Sequence, residues 1–440
     1  MTDLVVCADV GSTFTKVAVV DLGTGDLIAT ASHPTTVHTD VLEGLDAAIG
    51  SYTGAPIYLC SSAGGGLRLA VVGYESLVTA EAGHRVGLSA GARVVHVSAG
   101  PLTGSGLADL KASRPDVILL VGGTDGGDDE VLLHNARRLG TARLRIPVVV
   151  AGNVEARPRV VELLAARDVP YVATDNVLPR IGVLNPMPAR LAIREVFLKH
   201  VIGGKKLSRG TRFVDLVRGA TPDLVLTGVE VLADHLGGDL AVVDVGGATT
   251  DVYSVLTPDP EQSTGPRAEV AGTLWRSRTV EGDLGMRWSA TGVIEAARLE
   301  KLDLPGSLAA AATLRSSDPD FLPSTATERG EDLSIAALAA TIAFRRHARG
   351  EPGAAPRKDL RDVRLLIGSG GVLRHAPASD AAVVLAAPLG DLAGGYPLPR
   401  SARAVVDMSY VLAPAGLLAS EHPDIAVELL RRNLLNVVEQ

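Results

Sequence analysis

Two segments of the chain carry an aspartate, glycines and hydroxyl side chains in the same order. The first is Asp9-Val-Gly-Ser-Thr-Phe-Thr-Lys16, and the second is Asp244-Val-Gly-Gly-Ala-Thr-Thr-Asp251. Glycines directly after an apolar strand allow a tight turn whose backbone N–H groups point at an anion. A carboxylate at the strand end is suited to hold the water shell of Mg²⁺. The repeated order predicts an internal duplication, with two facing turns and two carboxylates that clamp a triphosphate and its metal.

A third glycine-rich turn follows the apolar segment Val363–Ile367 and has the sequence Gly368-Ser-Gly-Gly371. It lacks an acid or a base, and its one hydroxyl side chain is Ser369. Because glycine has no side chain, the backbone of this turn can approach a flat ring closely. We therefore expect adenine there, and the three turns together predict ATP and Mg²⁺ as cofactors.

These turns supply the candidate site residues. Asp9 and Asp244 are the candidate metal-binding residues, and with Lys16, which would neutralise developing charge, they form the candidate catalytic set. The candidate nucleotide-binding residues are Gly11, Ser12, Thr13, Gly246, Gly247, Thr249 and Thr250 for phosphate, and Gly368, Ser369, Gly370 and Gly371 for adenosine. Simpler interpretations stay open: Lys16 as a solvated strand residue, and the two threonines as residues suited to a strand. No side chain is assigned as a general base.

Apolar patterns predict the elements that hold the turns. Strands are expected at Val5–Val10, Lys16–Val20, Asp26–Ser32 and Pro56–Cys60, and again at Asp239–Val245, Val252–Leu256 and Val363–Ile367. Between the two groups, strands alternate with helices of about ten residues, which is typical of a doubly wound parallel sheet. We predict a first lobe over 1–84, an inserted Rossmann-like or flavodoxin-like domain with its own core over 85–200, and a second lobe over 201–440. The second lobe would contain a small subdomain at about 257–362 and C-terminal helices.

One further glycine-rich loop, Gly122–Gly127, lies between a predicted strand and a predicted helix. Such a position can bind phosphate. The loop lacks a lysine and the G-x-G-x-x-G order, so a structural or partner-facing turn is favoured.

Composition excludes several classes of protein. The 440 residues, 46% hydrophobic and 21% charged, predict a folded α/β chain of several domains. A net charge of −8 gives no broad positive field, so nucleic acid is not expected as a partner. No apolar run approaches the roughly 20 residues of a membrane span, so we expect a soluble protein without a membrane partner. Cys7 and Cys60 lie in strand-like runs, which disfavours a disulfide or an iron–sulfur cluster and favours the cytoplasm. The oligomeric state stays open.

The three turns resemble the phosphate-1, phosphate-2 and adenosine motifs of the superfamily of actin, sugar kinases and heat-shock ATPases. Over nearly the whole chain, the sequence is also similar to the glutamate mutase component L (MutL) family. The segments that carry this closer resemblance are Asp9–Lys16, Cys60–Arg68, Leu120–Gly127, Thr279–Arg287 and Gly368–Leu373. The resemblance implies an α/β fold of two duplicated ribonuclease-H-like (actin-like ATPase) lobes, with ATP in the cleft and an inserted parallel-sheet domain.

The resemblance also implies a function. Members are associated with adenosylcobalamin-dependent mutases and are similar to the ATPase subunit of diol dehydratase reactivase, so the expected role is an ATP-binding, ATP-hydrolysing accessory protein that reactivates or assembles a mutase. Two alternatives on the same fold stay open. A small-molecule kinase would use 85–200 as its substrate domain, although no sugar-binding set is identifiable there. A non-enzymatic actin-like scaffold is disfavoured by the lack of an amphipathic membrane tail.

Overall fold

The computed structural model describes residues 3–11, 13–63, 67–74, 80, 82–83, 86–87, 92–202, 207–257, 276–349, 358–392 and 394–435. These residues form two compact units. The first unit draws on Met1–Gly228 and Ala413–Ala426, and the second on Val229–Thr257, Trp275–Leu412 and Val427–Gln440. Within the described residues there are three five-stranded sheets, two in the first unit and one in the second.

The N-terminal sheet of the first unit has five strands, the first two of which carry valine-rich buried runs. These strands are β1 (Leu4–Val10), β2 (Phe14–Asp21), β3 (Leu27–Pro34), β4 (Ile57–Ser61) and β10 (Val217–Ala220). Their order is β10-β4-β1-β2-β3. β1, β2 and β3 form an antiparallel meander, whereas β4 is parallel to β1 and β10 is parallel to β4. The sheet therefore consists of a meander followed by two parallel strands.

The other sheet of the first unit is entirely parallel. Its strands are β5 (Arg68–Gly73), β6 (Arg93–Ala99), β7 (Val117–Leu120), β8 (Val148–Val150) and β9 (Tyr171–Ala173), in the order β6-β5-β7-β8-β9. The predicted inserted parallel sheet is thus present. Strand pairing crosses both predicted boundaries, at 85 and 200. β5 precedes residue 85 but belongs to the parallel sheet, and β10 follows residue 200 but pairs with β4 of the N-terminal sheet.

One hydrophobic cluster joins the two sheets of the first unit. It contains Val6 from β1, Leu69 from β5, Leu119 from β7 and Ile193 from a helix that follows β9. The opposite face of the parallel sheet has a separate cluster that includes Leu133. The expectation of an independent core for the inserted domain is therefore wrong for one of its two faces.

The sheet of the second unit repeats the topology of the N-terminal sheet. Its strands are β11 (Leu240–Val245), β12 (Thr250–Val255), β13 (Arg276–Glu281), β14 (Leu365–Ser369) and β15 (Arg403–Val406), in the order β13-β12-β11-β14-β15. β11, β12 and β13 form the antiparallel meander, and β14 and β15 extend the sheet in parallel. This repetition confirms the predicted α/β fold of two duplicated actin-like lobes with an inserted parallel sheet.

Helices cover these sheets. In chain order they are α1 (Val41–Ile49), α2 (Gly104–Ala112), α3 (Glu130–Ala142), α4 (Arg157–Ala165), α5 (Pro186–Val196), α6 (Arg212–Leu216), α7 (Thr221–Leu236), α8 (Ala290–Leu299), α9 (Leu308–Ser317), α10 (Ala326–Arg349), α11 (Gly371–Arg374), α12 (Ala378–Gly390), α13 (Leu412–Leu418) and α14 (Pro423–Leu430), with π-helical segments at Phe197–Ile202 and Arg431–Leu435. Within the described part of the chain, none of them combines the length and apolar character needed to cross a bilayer.

The longest of these helices, α10, packs on the sheet of the second unit and places a histidine in its core. The ring nitrogens of His347 lie 2.8 Å from Ser254 Oγ and 2.9 Å from Thr279 Oγ1. Complete burial lowers the pKa of His347 well below its usual value, and the charge of Lys358 lowers it further. A neutral imidazole satisfies both hydroxyls, since one nitrogen donates and the other accepts.

Candidate functional site

Asp9 is the penultimate residue of β1, and its buried carboxylate meets three side chains of the first unit. Thr221 Oγ1 donates a hydrogen bond of 2.5 Å to Asp9 Oδ1, and Cys60 Sγ lies 3.7 Å from the same oxygen. Lys16 Nζ is 3.9 Å from Asp9 Oδ2, because Lys16 stands opposite Asp9 in the antiparallel register of β1 and β2. The structure thus brings together the candidate residues Asp9 and Lys16, and it adds Cys60 and Thr221.

The first-unit turn after β1 is closed by its own backbone. Gly11 N donates to Phe14 O at 3.1 Å, and a Cβ at Gly11 would lie 2.7 Å from that oxygen. Glycine is therefore required by close approach of the backbone. Thr13 is exposed at the turn, and Ser12 lies outside the described residues.

The second-unit turn after β11 has the same construction. Gly246 N donates to Thr249 O at 2.9 Å, again to the residue three positions ahead, and a Cβ at Gly246 would lie 2.9 Å from this oxygen. Gly247 is exposed and has open space around its Cβ position. Thr250, by contrast, is buried inside β12, and its hydroxyl has no hydrogen-bond partner among the described residues. The two glycines and Thr249 are thus at the turn, whereas Thr250 points into the protein.

The third turn lies beside the second because β14 is parallel to β11, with Ser369 opposite Asp244. Gly370 has a φ of +101°, and a Cβ there would overlap Val245 O and lie 3.0 Å from Asp244 Oδ1. Gly371 begins α11 and is exposed, with no atom within 4 Å of its Cβ position. Gly368 packs against leucine side chains, and it and Ser369 are buried. Of the four predicted adenosine residues, Gly370 and Gly371 are therefore the accessible ones.

The segment Thr279–Arg287, one of those that carry the family resemblance, packs over the second-unit turn. Met286 N donates to Gly246 O at 2.9 Å, and Arg287 N donates to Gly247 O at 2.7 Å. A Cβ at Gly285 would lie 2.5 Å from the carbonyl carbon of Ala248. Of the two glycines in Thr279–Arg287, Gly285 is the sequence signal for this contact, because glycine permits close approach of two backbones.

Charged side chains surround Asp244 on the same face of the sheet. Asp251 stands directly opposite Asp244 in the register of β11 and β12. Arg278 Nη2 lies 3.2 Å from Asp251 Oδ2, and both side chains are largely buried. Burial raises the pKa of Asp251, and the guanidinium of Arg278 opposes this shift. Arg278 thus compensates part of the negative charge that two adjacent carboxylates bring to this sheet end.

Each of the first two turns follows an aspartate at the end of its strand, which is a type of side chain that Mg²⁺ accepts as a ligand. Within the described residues, no group of three or more His, Cys, Asp or Glu side chains forms a metal site. In nucleotide sites Mg²⁺ is held by one or two carboxylates together with phosphates and water, which Asp9 and Asp244 at their strand ends suit. Gly247 is exposed and has open space at its Cβ position, so its backbone is the part of the second-unit turn that a phosphate can approach.

The loop Gly122–Gly127 follows β7 and is held by two buried asparagines. Asn176 Nδ2 donates to Gly123 O and to Asp125 Oδ1, both at 2.9 Å. Asn153 Nδ2 donates to Gly127 O at 3.0 Å, and Asp125 Oδ1 also accepts from Val154 N at 3.1 Å. The carboxylate of Asp125 therefore serves the internal structure of the loop.

Comparison with known proteins places the chain in a family. The model of the family described as MutL protein matches residues 5–434. The chain belongs to the MutL protein family. A curated relative in this family, Protein MutL of Clostridium tetanomorphum, is 36% identical over 466 residues, which cover 99% of this chain and 100% of the relative.

Solved structures give more remote likenesses to this MutL family chain. The nucleotide-free structure of acetone carboxylase is 14% identical, with 95% of this chain and 70% of that chain covered and a TM-score of 0.39. The nucleotide-free diol dehydratase-reactivating factor is 11% identical, with 95% and 99% covered and a TM-score of 0.36. Component A of (R)-2-hydroxyglutaryl-CoA dehydratase from Acidaminococcus fermentans is 9% identical, with 97% and 96% covered and a TM-score of 0.26.

Proposed function

We propose that this MutL family chain binds and hydrolyses ATP and acts as a reactivating or assembling accessory protein for an adenosylcobalamin-dependent mutase. The main support is the arrangement in the second unit, where the Asp244 turn and the Gly368–Gly371 turn end the neighbouring parallel strands β11 and β14. A turn suited to phosphate thus lies beside a turn suited to adenosine at one edge of one sheet. Membership of the family supports glutamate mutase subunits as the partner.

In the second unit, each residue has a defined role in this proposal. The N–H group of Gly247 and the hydroxyl of Thr249 bind phosphate oxygens, and Gly246, whose N–H donates to Thr249 O, closes the turn that presents them. The backbone at Gly370 and Gly371 lies against adenosine, because no side chain blocks Gly371. Asp244 would hold the hydration shell of Mg²⁺. Mg²⁺, when bound, neutralises phosphate charge and thereby favours attack by water.

In the first unit, exposed Thr13 binds phosphate, and Gly11, whose N–H donates to Phe14 O, closes the turn that presents it. Asp9 would hold the hydration shell of Mg²⁺. Lys16 Nζ, 3.9 Å from the Asp9 carboxylate, adds positive charge close to that carboxylate. Hydrolysis needs mainly positioning and charge stabilisation, so these residues can support it without a covalent intermediate.

The test measures ATP binding and phosphate release by the purified full chain. We expect calorimetry to detect ATP binding that Mg²⁺ strengthens, and phosphate release to rise when purified glutamate mutase subunits are added. Gly247→Val is the matched variant, because its Cβ position is open and the fold should be retained while the phosphate turn is blocked. Absence of ATP binding by the folded wild type would refute the proposal. Transfer of phosphate to a metabolite in place of water would favour the kinase alternative.

A further inference from the structure

We infer that Thr221 is a positioning residue for Asp9, and that helix α5 fixes Thr221 through a buried cluster of Arg190, Asp223 and Arg194. This inference rests on the proposed function, since it concerns the carboxylate proposed to hold the hydration shell of Mg²⁺. Thr221 and the three residues of this cluster all belong to the first unit.

The contact between Thr221 and Asp9 is direct and buried. Thr221 is the first residue of α7 and follows β10, whose pairing with β4 brings it to the end of β1. Its hydroxyl donates to Asp9 Oδ1 at 2.5 Å, and both residues are largely buried. A hydrogen bond to a charged acceptor inside a protein is stronger than one between neutral groups. The hydroxyl therefore restricts the rotation of the Asp9 carboxylate.

The start of α7 is in turn anchored to α5. The buried carboxylate of Asp223 accepts from Arg190 Nε at 3.1 Å and from Arg194 Nε at 2.6 Å. Arg190 Nη2 also donates to Thr227 Oγ1 at 3.2 Å, one turn further along α7. Arg190 and Arg194 are one turn apart on α5, so both guanidinia reach the same carboxylate. The cluster holds the first turn of α7, which carries Thr221, in one position.

The duplication provides an internal comparison. In the second unit, the residue after the fifth strand is Asp407, at the position that Thr221 occupies in the first unit. The Asp407 carboxylate accepts from Val411 N at 2.8 Å and from Leu412 N at 3.2 Å, and so caps the start of α13. The topology itself thus does not require a threonine at this position. Its presence in the first unit is accounted for by the hydrogen bond to Asp9.

Helix α5 also connects this site to the inserted parallel sheet. Ile193, between the two arginines, belongs to the same hydrophobic cluster as Leu119 of β7 and Val149 of β8. A displacement of the inserted sheet that moves α5 would therefore reach Asp9 through the Asp223 cluster and Thr221. Groups that hold a carboxylate beside a metal commonly change metal affinity severalfold or more when they are removed.

The experiment compares ATP affinity with Mg²⁺ and with excess EDTA, by calorimetry on the full chain. Mg²⁺ should increase the ATP affinity of the wild type, and this increase is the Mg²⁺-dependent gain. Thr221→Val removes the hydroxyl at constant shape, and we expect the gain to be about tenfold smaller in this variant, equal to about 1.4 kcal/mol. Affinity in EDTA should change little, and Thr221→Ser should restore the gain to within about threefold. A role in folding alone would lower the unfolding temperature and leave the gain unchanged. If Thr221→Val is too unstable to purify, Thr221→Ala provides the same comparison.

Asp223→Asn tests the link to α5, and Asp46→Asn is its matched control because Asp46 forms an exposed ion pair with Arg212. We expect Asp223→Asn, but not the control, to reduce the Mg²⁺-dependent gain. A wild-type gain in Thr221→Val would overturn the role of Thr221 while leaving the proposed function intact, and a wild-type gain in Asp223→Asn would overturn the role of α5. If the folded wild type binds no ATP in either condition, the proposed function fails and this inference fails with it.

Discussion

Two adjacent glycines in the third turn should respond oppositely to the same substitution. Gly370 has a φ of +101°, and a Cβ there would overlap Val245 O and lie 2.8 Å from the carbonyl carbon of the same residue. Gly371 has no atom within 4 Å of its Cβ position and begins α11. Alanine should therefore disturb the fold at Gly370 and be accommodated at Gly371.

The magnitude follows from two contributions at Gly370. A non-glycine residue at positive φ costs about 1–2 kcal/mol, and forcing atoms into a packed region costs a further ~1–3 kcal/mol. Gly370→Ala should thus lower the free energy of unfolding by about 2–5 kcal/mol, because the obstructing atoms are backbone and cannot rotate away. Gly371→Ala should leave it unchanged or raise it by up to about 1 kcal/mol, since alanine restricts the unfolded chain.

The assay is urea unfolding of both variants without nucleotide, followed by ATP calorimetry on Gly371→Ala and Gly371→Val. If the backbone at Gly371 lies against adenosine, the larger side chain should weaken ATP binding by more than about tenfold without loss of stability. Equal stability of Gly370→Ala and Gly371→Ala would refute the steric reasoning. Wild-type ATP affinity in Gly371→Val would remove this turn from the nucleotide site.

Three further predictions concern charge. Asp244→Asn should keep the fold, because the amide has nearly the same shape, and lose Mg²⁺-dependent phosphate release; release at the wild-type rate would exclude the metal role. The free energy of unfolding should fall as the pH drops below about 6.5, because the unfolded chain takes up a proton at His347 and the folded chain, in which His347 is buried, does not. In denaturant titrations at several pH values, His347→Gln should reduce the change in the free energy of unfolding by up to about 1.4 kcal/mol per pH unit. Asp125→Ala should lower stability by about 1–2 kcal/mol, because it leaves loop donors without their acceptor. Asp128 lies in the same exposed segment and accepts hydrogen bonds from Tyr74 Oη and Glu130 N, so Asp128→Ala should also lower stability, and it should weaken mutase binding in a pull-down. Both variants should bind ATP within about twofold of wild type.

The chemistry of the turns was predictable because it is local. An aspartate at a strand end followed by glycine specifies a tight turn whatever the rest of the chain does, and Gly11 and Gly246 close their turns with the same hydrogen bond. The order of apolar segments also predicted the duplicated lobes and the parallel sheet, since strand and helix periodicities are properties of short windows.

Tertiary structure decided which distant segments meet at those turns. β5 joins the inserted sheet and β10 returns to the N-terminal sheet, because strand pairing is chosen by burial across the whole unit and leaves no local pattern. This return places Thr221 against Asp9, 212 residues away in the chain. It is also packing, and not composition, that buries Gly368 and Ser369 while leaving Gly371 exposed. The sequence by itself therefore determined where the glycine turns form, and the fold determined which side chains orient the carboxylates beside them.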